Sequence, residues 1–283
     1  MSEISCDVIV VGAGPAGEVA AGRLADGGLK VVVVENHLVA GECSYYACMP
    51  SKALLRPGDL IDEARRIPGV KEAVTGDIDV ASALARRDEV IHNLDDSVQL
   101  PWLEDKGIEL VRGSGHLTGE KTASTDEHEI TASRAVIIST GTRPAMPPID
   151  GLADSSPWNN RDATTAKQAP ASMLVLGGGP VGVELAQAWA SFGTDVTLID
   201  LDPRLLAKEE PFAAEQVEKS LRERFGVEVV LGAKTTKVSR EGGSVKLNLE
   251  DGREFEAEEI LVATGRKPNS DDIGLDSVGA EAD

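Results

Sequence analysis

Two cysteines, Cys43 and Cys48, fall within the stretch Gly41-Glu42-Cys43-Ser44-Tyr45-Tyr46-Ala47-Cys48-Met49-Pro50-Ser51-Lys52. Thiols this close can alternate between dithiol and disulfide, which is two-electron chemistry. Pro50 marks the first turn of a helix with Ser51 to Ile67 as its body, and a helix N-terminus favours thiolate over thiol. A metal site would need further ligands. The four histidines, His37, His92, His116 and His128, form no cluster in sequence, and a spacing of i, i+5 does not place two ligands on one regular helical face. A redox pair is the favoured reading; metal ligation and inert buried cysteines are the alternatives. The third cysteine, Cys6, sits at a strand edge and reads as a small core residue.

The elements that must position this stretch are legible on either side of it. Asp7 to Val11 reads as a buried strand and leads directly into Gly12-Ala13-Gly14-Pro15-Ala16-Gly17. A helical run follows through Ala25, then a strand, Val31 to Val34, ending in Glu35. Gly12 permits the tight turn, Gly14 lets the backbone approach a pyrophosphate, and Gly17 lets the helix pack on the strand. The helix N-terminus offers free N–H groups, and Glu35 can accept from ribose hydroxyls. Strand, glycines, helix, strand and acid in register predict a dinucleotide site.

The pattern recurs. Met173 to Leu176 is the strand, Gly177-Gly178-Gly179-Pro180-Val181-Gly182 the turn, Glu184 to Phe192 lies in the helix, and Val196 to Ile199 leads to Asp200. Each acid stands 18 residues past its third glycine. Each half also closes on a strand and a T-G-x-x-P turn: Thr140-Gly141-Thr142-Arg143-Pro144 and Thr264-Gly265-Arg266-Lys267-Pro268. Two related nucleotide-binding domains are the simplest account. A carboxylate at Asp200 favours a free ribose 2′-OH over a 2′-phosphate, and Leu201 adds no positive charge, so NAD(H) is favoured over NADP(H). Arg204 is the one nearby cation that argues the other way.

Between these landmarks lie a polar, helix-prone region to Leu103, whose Arg86, Arg87, Asp88 and Glu89 read as a solvated face, and a strand from Ile108 to Arg112. Short strands around Ser124 and from Glu129 to Thr131 suggest an antiparallel meander, and Ala135 to Ser139 reads as a further buried strand. The proline-rich run from Pro144 to Pro148, closing at Gly151, marks a boundary. The domain division expected is 1–151, 152–272, and a return to the first domain over 273–283. With 48 acidic against 28 basic residues, the net charge of −20 repels phosphate backbones and anionic membranes, so neither nucleic acid nor membrane is an expected partner. No run approaches ~18 uninterrupted apolar residues, and the N-terminus carries no basic signal region, so a cytoplasmic location is expected.

The chain resembles the class I pyridine nucleotide-disulfide oxidoreductases, the group of lipoamide dehydrogenase, glutathione reductase and mercuric reductase. The matching residues are Gly12-x-Gly14-x-x-Gly17 with Glu35, Gly41-x-Cys43-x4-Cys48-x-Pro50-Ser51-Lys52, Thr140-Gly141, Gly177-x-Gly179-x-x-Gly182-x-Glu184, and Ala263-Thr264-Gly265-Arg266. The resemblance implies an α/β fold of two Rossmann-like domains of the glutathione reductase type, the second inserted in the first. It implies FAD on the first fingerprint and a nicotinamide nucleotide on the second, with Pro15, Ala16, Gly41, Glu42, Val181, Gly265 and Arg266 among the cofactor-binding residues. Hydride would pass to the flavin and on to a Cys43–Cys48 disulfide. Cys48 would face the flavin, and Cys43 would attack a small-molecule or protein disulfide or related oxidant. Lys52 and Glu184 would pair near the flavin and link the domains, and backbone near Gly115 and His116 would contact adenine.

Departures from the family pattern are Glu42 for Thr, Tyr45 and Ala47 for Asn and Gly, and Pro180 where several relatives carry an aromatic gate. The paired tyrosines are expected to alter access to Cys43. The family continues past the second T-G-x-x-P with a segment completing the flavin site and a dimerisation domain carrying a His-Glu pair. This chain is therefore expected to be a C-terminally truncated form of a homodimeric enzyme, with impaired FAD retention and little turnover. The alternatives are a nucleotide-binding redox module without turnover of its own, and a quinone-reducing flavoprotein. The latter would leave Cys43 and Cys48 unexplained.

Overall fold

The computed structural model describes residues 1–281. Backbone contacts divide the chain into two units. The first comprises Met1–Tyr45, Ile91–Arg143 and the chain from Lys267 onward; the second comprises Tyr46–Val90 and Pro144–Arg266.

The first unit is built on a six-stranded sheet: β1 (Ser2–Val11), β2 (Val31–Glu35), β3 (Glu109–Arg112), β4 (His116–Gly119), β5 (Thr122–Ser124) and β6 (His128–Ile138), in the order β3-β2-β1-β6-β5-β4. β1 pairs in parallel with β2 through Val8↔Val31 and with β6 through Val8↔Ala135. Side chains alternate faces along a strand. Val8, Val10, Val31 and Val33 accordingly join one core with Ala21 of α1 (Pro15–Asp26) and Leu103 of α5 (Leu100–Asp105). Ile9, Val11, Val32 and Val34 join another with Ala123 and Ile130. Both faces are covered, which is why these strands read as unbroken apolar runs. Full burial of each such side chain contributes about 1.5–3 kcal/mol. The short helix α2 (Gly41–Tyr45) also belongs to this unit, and β7 (Thr142–Pro144) follows β6 in the chain.

The second unit repeats the parallel core with β8 (Ser172–Leu176), β9 (Asp195–Ile199), β10 (Glu228–Val230) and β14 (Glu259–Val262), in the order β10-β9-β8-β14. Relative to the first strand of each unit this is the same arrangement as β3-β2-β1-β6, so the sequence repeat is realised as a topological one. One face packs on α3 (Cys48–Arg66), α4 (Val80–Val90), α6 (Asn160–Thr165), α7 (Pro180–Ser191) and α8 (Pro211–Arg224), through residues such as Leu54, Leu84, Ala163, Trp189 and Leu221. The other packs on an antiparallel sheet of β11 (Thr235–Glu241), β12 (Ser244–Leu249) and β13 (Glu254–Ala257), through Leu174, Ile199, Val238 and Leu247. Where α3 crosses α7, a Cβ on Gly58 would come 2.6 Å from the Ser191 side chain, so the close approach depends on glycine.

Three readings change in the structure. The strands expected at 129–131 and 135–139 are one, β6, ending at Ile138, because β1 pairs with it on both sides of a register shift between Cys6 and Val8 while β5 covers only its first half; its second half is not buried, Ile138 being 43% exposed. Arg87 does not lie on a solvated face: its side chain is fully buried, while Arg86 and Glu89 are 68% exposed and pair with each other. The reason is tertiary. The Arg87 guanidinium donates to the carbonyls of Thr164 and, at 2.7 Å, Ala166, and lies 3.0 Å from Asp88. Burial lowers its pKa from the usual arginine value. Finally, the contact-based boundaries fall at 45/46, 90/91, 143/144 and 266/267, whereas turn residues suggested 151/152 and 272/273. α3 packs on α7 and on α4, so both helices group with the second unit although they follow the first in sequence. Residues 282–283 of the expected return segment lie outside the described residues. Among the described residues, no helix is long and apolar enough to cross a membrane.

Candidate functional site

In the first unit the fingerprint glycines meet three different constraints. Gly12 has φ +101°, and a Cβ there would overlap the Ser139 carbonyl at the end of β6. A Cβ on Gly17 would overlap the Gly12 carbonyl, so α1 could not sit so close to β1. At Gly14 the backbone is ordinary, φ −74° and ψ −178°, and a Cβ would meet nothing within 4 Å. Neither fold nor dihedral demands glycine at that place. It is a cradle at the start of α1 that a side chain would fill, with Pro15 and Ala16 exposed beside it.

Glu35, 9% exposed, accepts from the Ala13 N–H and the His37 N–H, each at 2.7 Å. These bonds lock the carboxylate against the glycine turn while leaving lone pairs for hydroxyl donors. The chain after Glu35 is fixed by Asp96, which accepts from the Val39 N–H at 2.7 Å and pairs with Arg112 at 2.7 Å. It then turns at Gly41 (φ +60°), where a Cβ would lie 2.8 Å from the Gly14 Cα. Gly115 is also tight, a Cβ there meeting Val11 Cγ1 at 2.9 Å, and half-buried His116 opens β4. Thr140 Oγ1 donates to the Asn269 carbonyl at 2.8 Å, and Asn269 answers by donating to the Thr140 carbonyl at 2.9 Å. Gly141 has φ +68°.

The second unit reproduces this geometry. Gly177 has φ +114° and would clash with the Ala263 carbonyl; Gly182 would clash with the Gly177 carbonyl; Gly179, φ −75° and ψ −179°, meets nothing. Asp200 accepts from the Gly178 N–H and, at 2.7 Å, from the Asp202 N–H, as Glu35 does from the equivalent positions. Pro180 and Val181 open α7. Arg204 is occupied locally, donating to the Glu209 and Ala207 carbonyls at 2.9 and 2.8 Å. Gly265 has φ +152°, a conformation that favours glycine, and Arg266 donates to Asn160 Oδ1 at 3.2 Å.

Cys43 and Glu42 lie half-buried on α2 in the first unit; Cys48, exposed, is the first residue of α3 in the second. The paired tyrosines between them are core residues, Tyr45 1% and Tyr46 8% exposed, and burial pushes the Tyr45 phenol pKa up. Lys52 Nζ lies 2.7 Å from both Glu184 oxygens, and Ser51 Oγ donates to the same carboxylate at 3.0 Å. This pair joins α3 to α7 within the second unit. With the lysine side chain 60% exposed it contributes at most about 1 kcal/mol. Cys6 is buried in the sheet and its thiol pKa is raised, chiefly by burial.

Sequence reasoning passed over Asn160, Thr164, Asp96 and Asn269, and misplaced Arg87. Asn159-x-x-Asp162 is a capping box that could have flagged α6, and Asn269 directly follows the second T-G-x-x-P. Among the described residues, no group of three or more His, Cys, Asp or Glu side chains is placed to hold a metal ion.

Both cradles suit a dinucleotide: backbone N–H groups at a helix start, open space at the second glycine and a carboxylate at the end of the next strand. Comparison with known proteins agrees. Residues 6–283 match the family described as pyridine nucleotide-disulphide oxidoreductase. A mercuric reductase of Staphylococcus aureus is 32% identical over 280 residues, covering 97% of this chain and 51% of the relative. A dihydrolipoyl dehydrogenase of Chlorobaculum tepidum is 34% identical over 290 residues, covering 98% and 61%. The chain thus spans about half the length of the mercuric reductases it matches. The solved structure of the HOCl-induced flavoprotein disulfide reductase RclA from Escherichia coli matches with a TM-score of 0.84 at 24% identity, covering 98% of this chain and 60% of that one. That likeness is one of fold.

Proposed function

The chain belongs to the pyridine nucleotide-disulphide oxidoreductase family, and we propose that it carries the nucleotide-binding and thiol redox machinery of an FAD-dependent, NAD(H)-using oxidoreductase. The observation that carries this reading is the duplicated cradle, with a glycine nothing in the fold requires at Gly14 and again at Gly179. The bound groups would supply two-electron chemistry, hydride from the nicotinamide relayed by the flavin.

The first unit holds FAD. Gly14 and the start of α1 face the pyrophosphate, Glu35 accepts from the ribose, and Gly115, His116, Thr140, Gly141, Gly41 and Glu42 line the rest. The second holds NAD(H): Asp200 accepts from the 2′-OH and would repel a 2′-phosphate, and Arg204 is committed to its own loop. Cys43 and Cys48 alternate between dithiol and disulfide. In the reduced state the Cys43 thiolate attacks a disulfide sulfur, forming a mixed disulfide. Cys48 resolves it, so the external disulfide leaves as two thiols and the chain's own S–S bond forms. Lys52 and Glu184 orient the first turn of α3 behind Cys48.

The test is a pair of fluorescence titrations, with FAD and with NADH, on the wild-type chain and on Glu35→Ala and Asp200→Ala. We expect each variant to weaken only its own nucleotide, by about tenfold or more per lost hydrogen-bonded contact. Absence of binding by either nucleotide at ~1 mM, a free energy weaker than about −4 kcal/mol, would sink the reading. Replacing both Cys43 and Cys48 by Ser should abolish disulfide reduction; unchanged NADH-dependent quinone reduction with no disulfide activity in the wild type would favour a quinone-reducing flavoprotein instead.

A further inference from the structure

We propose that α6 positions the peptide linking Cys43 to Cys48, with Asn160 and Thr164 as the positioning residues; the proposal rests on the redox-pair reading above. The main-chain carbonyl of Tyr46 accepts from Asn160 Nδ2 at 2.9 Å and from Thr164 Oγ1 at 3.1 Å. Both donors are buried, Asn160 4% and Thr164 0% exposed. They reach across 114 and 118 residues of sequence to the same carbonyl. The Thr164 hydroxyl has one proton, which it shares with the Asn160 carbonyl at 2.8 Å, so Asn160 is the stronger of the two donors to Tyr46. A third α6 residue holds the same tyrosine by its ring: the Arg161 guanidinium carbon lies 4.6 Å from the Tyr46 centroid.

α6 is itself fixed at both ends. The Asn159/Asp162 capping box sets its start. Buried Arg87 clamps its far end through the Thr164 and Ala166 carbonyls, and Arg266 holds Asn160 Oδ1. A six-residue helix therefore commits three side chains to one residue of the inter-cysteine loop. The consequence is geometric. Fixing the Tyr46 carbonyl fixes the plane of the Tyr46–Ala47 peptide, and with it the start of α3 at Cys48. A disulfide tolerates only a narrow range of Cα and Cβ separations, so a loop held in one geometry closes the S–S bond at less entropic cost than a loose one.

The experiment equilibrates the whole chain in glutathione buffers, traps thiols by alkylation and counts them by mass spectrometry. Oxidation joins two thiols in one S–S bond. Two electrons and two protons pass to oxidised glutathione, which is released as two thiol molecules. We expect Asn160→Leu/Thr164→Val to shift the equilibrium about tenfold toward the dithiol, ~30 mV in midpoint potential, and Thr164→Ser to behave as wild type. A lowered melting temperature with an unshifted potential would mean a purely structural role and would overturn the proposal. If the double variant does not fold, Asn160→Leu alone decides by the same criterion. A wild-type chain that forms no Cys43–Cys48 disulfide in any buffer overturns the redox-pair reading, and this proposal with it.

Discussion

Glycine plays two separable parts in each cradle, and alanine substitutions distinguish them. At Gly14 and Gly179 the dihedrals suit any residue and the Cβ enters open space. Gly14→Ala and Gly179→Ala should leave stability unchanged or raise it by up to about 1 kcal/mol through the unfolded state. They should nonetheless weaken FAD and NADH respectively at least tenfold. Calorimetry beside a titration checks both, and undiminished affinity would remove the second glycine from the binding argument. Gly17→Ala should do the opposite and destabilise the first unit outright, because its Cβ meets the Gly12 carbonyl. Glu18, in the first turn of α1, has its carboxyl pKa raised by burial. Such a group is comfortable when protonated and costs stability as pH climbs through its folded pKa. Glu18→Gln should therefore raise the melting temperature at pH 7–8, and the gain should vanish below about pH 4. A gain that persists at low pH would point to packing instead.

Between elements, the most exacting contact is Arg87. Its side chain tethers α4 to the end of α6 by satisfying two main-chain carbonyls from a fully buried position. Arg87→Met keeps much of the volume and orphans both acceptors, so it should cost about 2–4 kcal/mol, measured by urea unfolding. Arg86→Met, one residue earlier on an exposed pair, should cost within about 0.5 kcal/mol. Equal effects would mean that burial of Arg87 is not what makes it matter. Asp88, whose carboxyl pKa is lowered despite a burial penalty by Lys167 and Arg87, completes the tether.

Across the molecule, each unit has its own pair of cores, one on either face of its parallel sheet. Ligands that bind one unit should therefore stabilise that unit. At about 100-fold excess over Kd, FAD and NADH should each add about 2.7 kcal/mol, and hydrogen exchange should place the protection in β1–β2 for FAD and in β8–β9 for NADH. Protection of the same strands by both nucleotides would contradict the assignment of one dinucleotide to each cradle. The net charge of −20 adds self-repulsion that salt screens, so stability should rise as ionic strength increases from low values.

What the amino-acid sequence determined by itself was the local chemistry. The tight turns, the helix starts and the strand-end acids of both cradles were legible because each depends on residues adjacent in the chain: a φ only glycine adopts at Gly12, a Pro15 that begins a helix, an unbroken run of valines. The repeat of that unit was legible for the same reason. What only the tertiary structure decided involves partners far apart. Arg87 looks like its solvated neighbour Arg86 until two carbonyls from residues 164 and 166 arrive to accept its hydrogen bonds. Tyr45 and Tyr46 look placed to alter access to Cys43 until both are buried, and Asn160 and Thr164 look like any polar turn until the Tyr46 carbonyl reaches them. Helical periodicity reports which face of an element is apolar, but not which distant main-chain group will make a polar side chain belong inside.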